Sequence, residues 1–204
     1  MRKAAHVLSL LLHPAWMPTY ALAIAFAIDP HLTFALTRQG QWLVVGMVFV
    51  MTALFPVSSI LMLWHSGLVG SLSLPQRKER LLPVALTLIY FGMAYYLLRR
   101  TPNSSSTLAM FTGIVVALAV GLAITGRWKV SLHMIGAGGL VGILLGLALL
   151  HGATTWFLPL VFVVVGALGS ARLLVGGHSP AQVYTGTLVG LASTFTCVVW
   201  GLYY

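Results

Sequence analysis

Acidic side chains are almost missing from this sequence. Its 204 residues include two acids, Asp29 and Glu79, against 11 Lys and Arg residues. Paired-carboxylate hydrolysis, carboxylate cages for Mg²⁺ or Ca²⁺, and Ser-His-Asp catalysis all require an acid at the site. We therefore regard these three classes of site as nearly excluded.

Cysteine is equally scarce, with Cys197 as the single example. A single cysteine cannot form a disulfide within the chain. It also gives the seven histidines no paired thiolates, and no two histidines have the spacing of a helical metal-binding pair. The sequence predicts no metal site, and we expect no cofactor.

Apolar residues are present in excess. Hydrophobic residues make up 59% of the chain, charged residues make up 6%, and the mean hydropathy is +0.99. Such a composition is typical of a polytopic membrane protein. We predict an all-α bundle of about six or seven transmembrane helices that forms one domain over residues 1–204. The net charge of +9 does not indicate a nucleic-acid partner, because the basic residues flank apolar segments in small groups.

Seven apolar segments predict the spans. We expect a short interfacial helix before the first, because His6, His13 and Pro14 interrupt the early apolar run and argue against a cleaved signal peptide. Pro56 is expected to kink the second span, and residues 65–82 to form the longest polar connection. The predicted segments are residues 14–28, 42–64, 83–99, 108–125, 130–150, 155–172 and 180–203.

Small residues recur at intervals of four in the fifth and seventh predicted spans. This spacing lets two helices approach closely, so we predict tight packing along these faces. The residues concerned are Gly138, Gly142 and Gly146 in the fifth span, and Gly186 and Gly190 in the seventh.

Three clusters of basic residues and histidine are separated by even numbers of predicted spans. Two spans lie between residues 77–80 and 127–133, and two more lie between 127–133 and 172–178. An even number of crossings returns the chain to the same side, so all three clusters should face one membrane surface. Eight of the 11 Lys and Arg residues fall on this side, which the positive-inside tendency would make cytoplasmic.

The third cluster contains the most informative stretch. Arg172 ends one apolar segment, and Gly176 and Gly177 break it. Pro180 then stands where the first turn of the next helix begins. His178 lies at the N-terminal end of that helix, where an anion is favoured. Because polar side chains at the edge of a span are costly, we interpret this stretch as a phosphate-handling site at a bilayer surface.

This stretch resembles the third signature of the type 2 phosphatidic acid phosphatase superfamily, relatives of the vanadium haloperoxidases. That signature reads Ser-Arg, five residues, His, three residues, Asp. Arg172 and His178 match it at the required spacing. Ala171 replaces the serine, and Gln182 replaces the aspartate.

Two further signatures of the superfamily have partial counterparts. The second, Pro-Ser-Gly-His, is matched at Ser131 and His133. The first, Lys, six residues, Arg-Pro, is matched by Arg80 and the more distant Pro83, with Lys78 close by. The resemblance covers roughly residues 75–200.

The resemblance implies a mechanism without a metal ion. His178 would be the nucleophile that takes the phosphoryl group, and His133 would protonate the leaving alkoxide. Arg172 would hold phosphate oxygens, since guanidinium groups compensate the charge of a phosphoryl group. The other substrate-binding residues would be Arg80, Lys78 and Ser131.

The resemblance also implies a substrate and a location. The substrate would be a lipid phosphomonoester or pyrophosphate, such as phosphatidate, phosphatidylglycerophosphate or a polyprenyl pyrophosphate. The location would be a bacterial inner membrane, where many relatives act on the outer face. This opposes the side that the basic residues indicate, so both orientations stay open. Membrane lipids are expected partners, and a homo-oligomer or a place in a larger membrane complex is open.

Gln182 leaves two functions open. Its amide oxygen can accept the Nδ1 proton of His178 and hold the tautomer, but it cannot offset the positive charge that develops on the ring. We favour an enzyme, slowed or differently tuned by this change. The rival is an inactive member that binds anionic lipid or serves as a membrane-complex subunit. A small transporter is a weaker alternative, because the sequence shows no inverted repeat and no ionisable residue in mid-span.

The other basic residues and histidines have simpler interpretations. Arg127 and Lys129 are predicted to be charges that flank a span. The histidines expected to lie at the interface without a further role are His6, His13, His31, His65 and His151.

Overall fold

The structure is a computed structural model that describes residues 2–72, 76–152 and 155–201. Those ranges contain helices and connecting turns, and no strand. Six helices within them are long and apolar enough to cross a membrane, and Met17–Ile28 is apolar but shorter. The prediction of an all-α polytopic bundle is confirmed, and the chain is an integral membrane protein.

Nine α-helices follow one another along the described ranges. They are Arg2–Leu11 (α1), Met17–Ile28 (α2), Arg38–Phe49 (α3), Phe55–His65 (α4), Arg77–Leu98 (α5), Ser105–Thr125 (α6), Leu132–His151 (α7), Leu158–Leu174 (α8) and Pro180–Trp200 (α9). A π-helical turn, Val50–Leu54, joins α3 to α4, and short 3₁₀ turns occupy Pro30–Leu32 and Thr155–Phe157. Residue 203, the expected end of the last span, lies outside the described residues.

Helix α1 is the short helix expected before the first span. Val7, Leu10 and Leu11 form an apolar row that is more than half exposed, whereas Ala5 and Ser9 are buried. The helix packs against α8. An amphipathic helix with an outward apolar row suits the membrane interface.

The effect of Pro56 on the second span is a π-turn within a continuous helix. Proline has no backbone N–H, so the regular bond to the carbonyl four residues earlier cannot form. Just before it, the Phe55 N–H donates to the Val50 carbonyl, five residues back. The buried Thr52 hydroxyl in this turn donates to the Ala15 carbonyl at 3.4 Å. The turn therefore ties the second span to the chain entering α2.

Helix α5 begins at Arg77, so the expectation of a polar connection as far as residue 82 is wrong. The polarity of this segment indicated a loop, but two interactions favour the helix. Glu79 in the first turn complements the positive end of the helix dipole. The Arg77 guanidinium donates to the Gly126 carbonyl at the end of α6. Pro83 consequently lies inside the helix, and the basic cluster occupies its first turns.

Helices α7 and α9 form the tightest contact of the bundle, as the glycine spacing predicts. A Cβ at Gly138 would collide with the Thr187 carbonyl, and a Cβ at Gly190 would collide with the Ile135 carbonyl. The Thr194 hydroxyl crosses the same interface and donates to a backbone carbonyl of α7 at 2.9 Å. This contact holds the N-terminal ends of both helices beside each other.

Candidate functional site

A cavity of about 190 Å³ opens at one end of the bundle. Its polar end is lined by His13, Arg80, His133, Arg172 and His178. These residues come from five different elements of the chain, so the cavity exists only in the folded protein. Among the described residues that line it, no side chain is acidic.

Three helix N-termini meet at this end. Arg80 lies in the first turns of α5, His133 is the second residue of α7, and His178 precedes α9 by two residues. The Ser131 N–H donates to the Gln182 carbonyl at 3.3 Å and joins the starts of α7 and α9. Free N–H groups and the positive ends of helix dipoles favour an anion here.

The tautomer of His178 is set by Gln182. The Gln182 Oε1 accepts the Nδ1 proton of His178 at 3.1 Å and also the Ser179 N–H at 3.1 Å. With the proton on Nδ1, the neutral ring has its lone pair on Nε2. Residues 179 and 182 form a capping box at the start of α9, which fixes the amide.

The ring of His178 is neutral near neutral pH. Burial, followed by the charges of Arg172 and Arg80, lowers its pKa to about 4. The hydrogen bond to Gln182 acts in the opposite direction, and Lys129 adds a smaller lowering. A neutral ring with a free Nε2 lone pair is the form that attacks an electrophile.

His133 is held by the backbone of α1. Its Nε2–H donates to the Ser9 carbonyl at 3.0 Å. That carbonyl lies in the last turn of α1, where carbonyl groups lack helical partners and the dipole is negative. A proton on Nε2 leaves Nδ1 as the atom that exchanges a proton with a ligand. This role of Ser9 is not predictable from the sequence, because the contact joins residues far apart in the chain.

Arg172 has a donor without a partner. Its Nε is buried, and no hydrogen-bond acceptor in the described ranges contacts it. The guanidinium lies close to Gly177, where a Cβ would come within 3.2 Å of Nη2. The glycine therefore leaves room for the arginine, and an anion in the cavity would satisfy the unpaired N–H.

Positive charge extends beyond the residues that line the cavity. Burial, followed by Arg80 and Arg172, lowers the pKa of Lys129. Lys129 is thus electrostatically part of the cluster, although its sequence position suggested only a flanking charge. Among the described residues that line the cavity, the polar end has several cations and no carboxylate, which is the charge pattern of an anion site.

His13 lines the cavity, contrary to the expectation that it is merely interfacial. Its ring centroid lies 5.3 Å from that of His133 in an edge-to-face arrangement. Burial, followed by the charge of Arg172, lowers the pKa of His13 to about 4. The only sequence signal for this residue is its position beside Pro14, where the chain breaks before α2.

Two of the residues predicted to bind substrate do not line the cavity. Lys78 is exposed on the first turn of α5. Ser131 is fully buried against α9, and its hydroxyl has no hydrogen-bond partner within the part of the chain that the structure describes. Their predicted roles therefore have no geometric support from this arrangement.

The rest of the cavity is apolar and extends into the bundle. Phe91, Ile114, Leu140 and Ile143 line its inner part. From His133 to Ile143 the helix rises about 15 Å, at about 1.5 Å per residue. The cavity thus joins an anion-binding end to an apolar interior, which matches a ligand with a charged head and an apolar tail.

A second polar cluster lies at the opposite end of α7. The His151 Nδ1 and the Asp29 Oδ2 are 2.6 Å apart, and the carboxylate is fully buried. The rings of His31 and His151 have centroids 4.7 Å apart. Within the described ranges, no group of three His, Cys, Asp or Glu side chains is arranged to hold a metal ion.

Comparisons with protein-family models, with curated proteins and with solved structures find no match to this chain. The resemblance to the lipid phosphatases therefore rests on a few residues and their spacing. The function has to be argued from the cavity itself.

Proposed function

We propose that this protein is a metal-independent lipid phosphatase that works through a phosphohistidine intermediate at His178. The observation that carries the proposal is the shared cavity. A neutral imidazole with a free Nε2 faces the same space as two arginines and a second histidine, and that space continues into an apolar interior.

The first step transfers the phosphoryl group to His178. Its Nε2 attacks phosphorus, the ester P–O bond breaks, and the leaving alkoxide takes a proton from Nδ1 of His133. Arg172 and Arg80 compensate the negative charge of the oxygens in transfer. His133 takes up this proton from solvent as the phosphate binds, because the anionic phosphate offsets the charge of the protonated ring beside two arginines.

The second step hydrolyses the intermediate. Nδ1 of His133, left without its proton, accepts one from a water molecule that attacks phosphorus. The bond between phosphorus and Nε2 breaks and inorganic phosphate leaves. His133 then releases the accepted proton to solvent, so both histidines return to their starting protonation states. Gln182 keeps the proton on Nδ1 of His178 throughout, but it adds no charge to stabilise the ring during attack.

The apolar interior favours a lipid over a soluble phosphate. A cavity of about 150 Å³ holds one benzene-sized molecule. The present cavity therefore takes the phosphate and a short stretch of chain, and the remainder of the tail would lie among membrane lipids. Lipid phosphomonoesters and pyrophosphates fit this description, including phosphatidate, phosphatidylglycerophosphate and polyprenyl pyrophosphates. A bacterial inner membrane and a homo-oligomer or larger membrane complex remain part of this proposal.

The experiment is phosphate release from a panel of such lipids by purified protein. His178→Ala should lower kcat by at least about 10⁴-fold, as expected for loss of a nucleophile. His65→Ala is the matched control, because His65 is exposed at the end of α4. A wild type that releases no phosphate from any lipid, or a His178→Ala variant that retains turnover, would contradict the proposal.

The second candidate function is binding of anionic lipid without turnover. The neutral Gln182 and the absence of a carboxylate among the described lining residues favour it. It predicts saturable binding of a lipid phosphate by the wild type with no release of phosphate. The same panel of lipids therefore separates the two functions.

A further inference from the structure

His13 occupies the turn between α1 and α2 and faces the polar end of the cavity. Its ring meets that of His133 at an interplanar angle of 83°. This contact places His13 beside the residue that exchanges protons with the leaving group. His13 belongs to neither the sequence signatures nor the mechanism above.

A backbone hydrogen bond fixes the tautomer of His13. The Ala15 N–H donates to Nδ1 at 3.3 Å. A ring nitrogen that accepts a hydrogen bond carries no proton, so in the neutral ring the proton is on Nε2. In the described ranges no protein acceptor holds this proton, so the Nε2–H is available to a ligand.

A neutral donor suits this position. The cavity end already holds Arg80 and Arg172, and a further cation would add repulsion while the cavity is empty. Because the pKa of His13 is about 4, its ring is uncharged near neutral pH. It can therefore bind an oxyanion without adding to that repulsion.

We infer that His13 is a substrate-binding residue whose Nε2–H donates a hydrogen bond to an oxygen of the bound phosphoryl group. The inference rests on the proposed function for the identity of the substrate. Its chemistry requires only an oxyanion at the polar end of the cavity.

The kinetic test compares the full-length wild type with His13→Ala, His13→Gln and His6→Ala. Glutamine places an amide N–H near the position of Nε2, whereas alanine removes the donor. His6 is an exposed histidine of α1 and serves as the control. We expect kcat/KM for a lipid phosphate to fall about 100-fold in His13→Ala and to recover to within about tenfold in His13→Gln. It should stay at the wild-type value in His6→Ala.

Rescue by glutamine distinguishes a hydrogen-bond donor from a proton donor. Glutamine does not titrate, so the rescued activity should follow the wild-type pH profile. A His13→Gln variant as impaired as His13→Ala would overturn the inference. So would a His13→Ala variant within about threefold of the wild type, because loss of a single donor costs more than that.

A binding measurement keeps the inference separate from the proposed function. Orthovanadate, which mimics a phosphoryl group in transfer, is titrated into the same four proteins by calorimetry. Weaker binding to His13→Ala but not to His6→Ala supports the inference, and if no lipid is hydrolysed only the proposed function fails. Equal binding to the wild type and His13→Ala overturns the inference whatever the turnover. A wild type that does not bind orthovanadate overturns it as well.

Discussion

Helix α7 has a histidine near each end, and the two ends differ in charge balance. At the C-terminal end, His151 contacts the fully buried carboxylate of Asp29. At the N-terminal end, His133 contacts a backbone carbonyl and faces Arg172 across a cavity. Both histidines are polar groups at the edge of a membrane span, so the residue type alone does not separate them.

This difference in hydrogen-bond and charge partners indicates which end of α7 needs a ligand. In the Asp29–His151 pair the imidazole donates a hydrogen bond to the buried carboxylate, so neither group needs a ligand. At the cavity end, Arg172 keeps a buried N–H without an acceptor in the described residues. An anion bound from outside would give that N–H an acceptor. We therefore interpret the Asp29–His151 cluster as structural and propose that the residues around the cavity bind a ligand.

Among the variants that test this comparison of the two ends, Arg172→Ala should have the largest effect. In the proposed mechanism Arg172 holds the phosphate, so kcat/KM should fall by about 10³-fold or more when its guanidinium is removed. Its thermal stability should not fall, because the empty cavity loses an unbalanced cation. Activity and thermal unfolding are measured on the same detergent-solubilised sample. Arg99→Ala is the control, since Arg99 is exposed at the other end of α5. Lower stability together with normal turnover would reverse our assignment of this end.

The opposite end should respond in the opposite way to His151→Ala. The Asp29 carboxylate then stays buried without its main partner, and we expect the free energy of unfolding to fall by about 3 kcal/mol. Turnover per folded molecule should remain within about threefold of the wild type. Adding Asp29→Asn should restore part of the stability, because a neutral amide is cheaper to bury than a carboxylate. Chemical unfolding of the wild type and the two variants in detergent measures this.

The third prediction concerns a variant that gives His178 a carboxylate partner, as His151 has in Asp29. Gln182→Asp places a charge beside Nδ1 of His178, so the developing positive charge on the ring gains a partner. We expect turnover to rise about tenfold or more, and the pKa of His178 to move up from about 4. The acid limb of the pH–rate profile should therefore move to higher pH. Gln182→Ala is the matched control and should lower turnover. A Gln182→Asp variant slower than the wild type would contradict this role.

Much of the fold follows from local sequence patterns. Apolar length and glycine spacing are local properties, and they predict the spans and the close contact of Gly138 and Gly190 with the facing helix. The start of α5 is not predictable in this way. It depends on Arg77 reaching the Gly126 carbonyl, a contact between residues far apart in sequence.

The residues of the site likewise fall into those predictable from local sequence and those that depend on tertiary contacts. The spacing of Arg172, His178 and Gln182 is local, so the hydrogen bond between the histidine and the amide could be expected from the sequence. The contributions of Ser9 and His13 depend on how α1 and the turn after it dock onto the bundle. Nothing in the residues around them indicates the cavity, and the tertiary structure alone brings them to it.

The smallest effect concerns acid stability. The pKa values of His13 and His178 are about 4 in the folded protein and lie below the ordinary value of 6.5. Between these values the unfolded chain binds more protons than the folded one, so stability is complete above about pH 6.5 and falls as the pH drops towards 4. Replacing both residues by glutamine removes this proton uptake. The wild type should therefore lose a few degrees more in Tm than the double variant between about pH 7 and pH 4.5. Equal losses would mean that protonation of these two rings does not destabilise the cavity end.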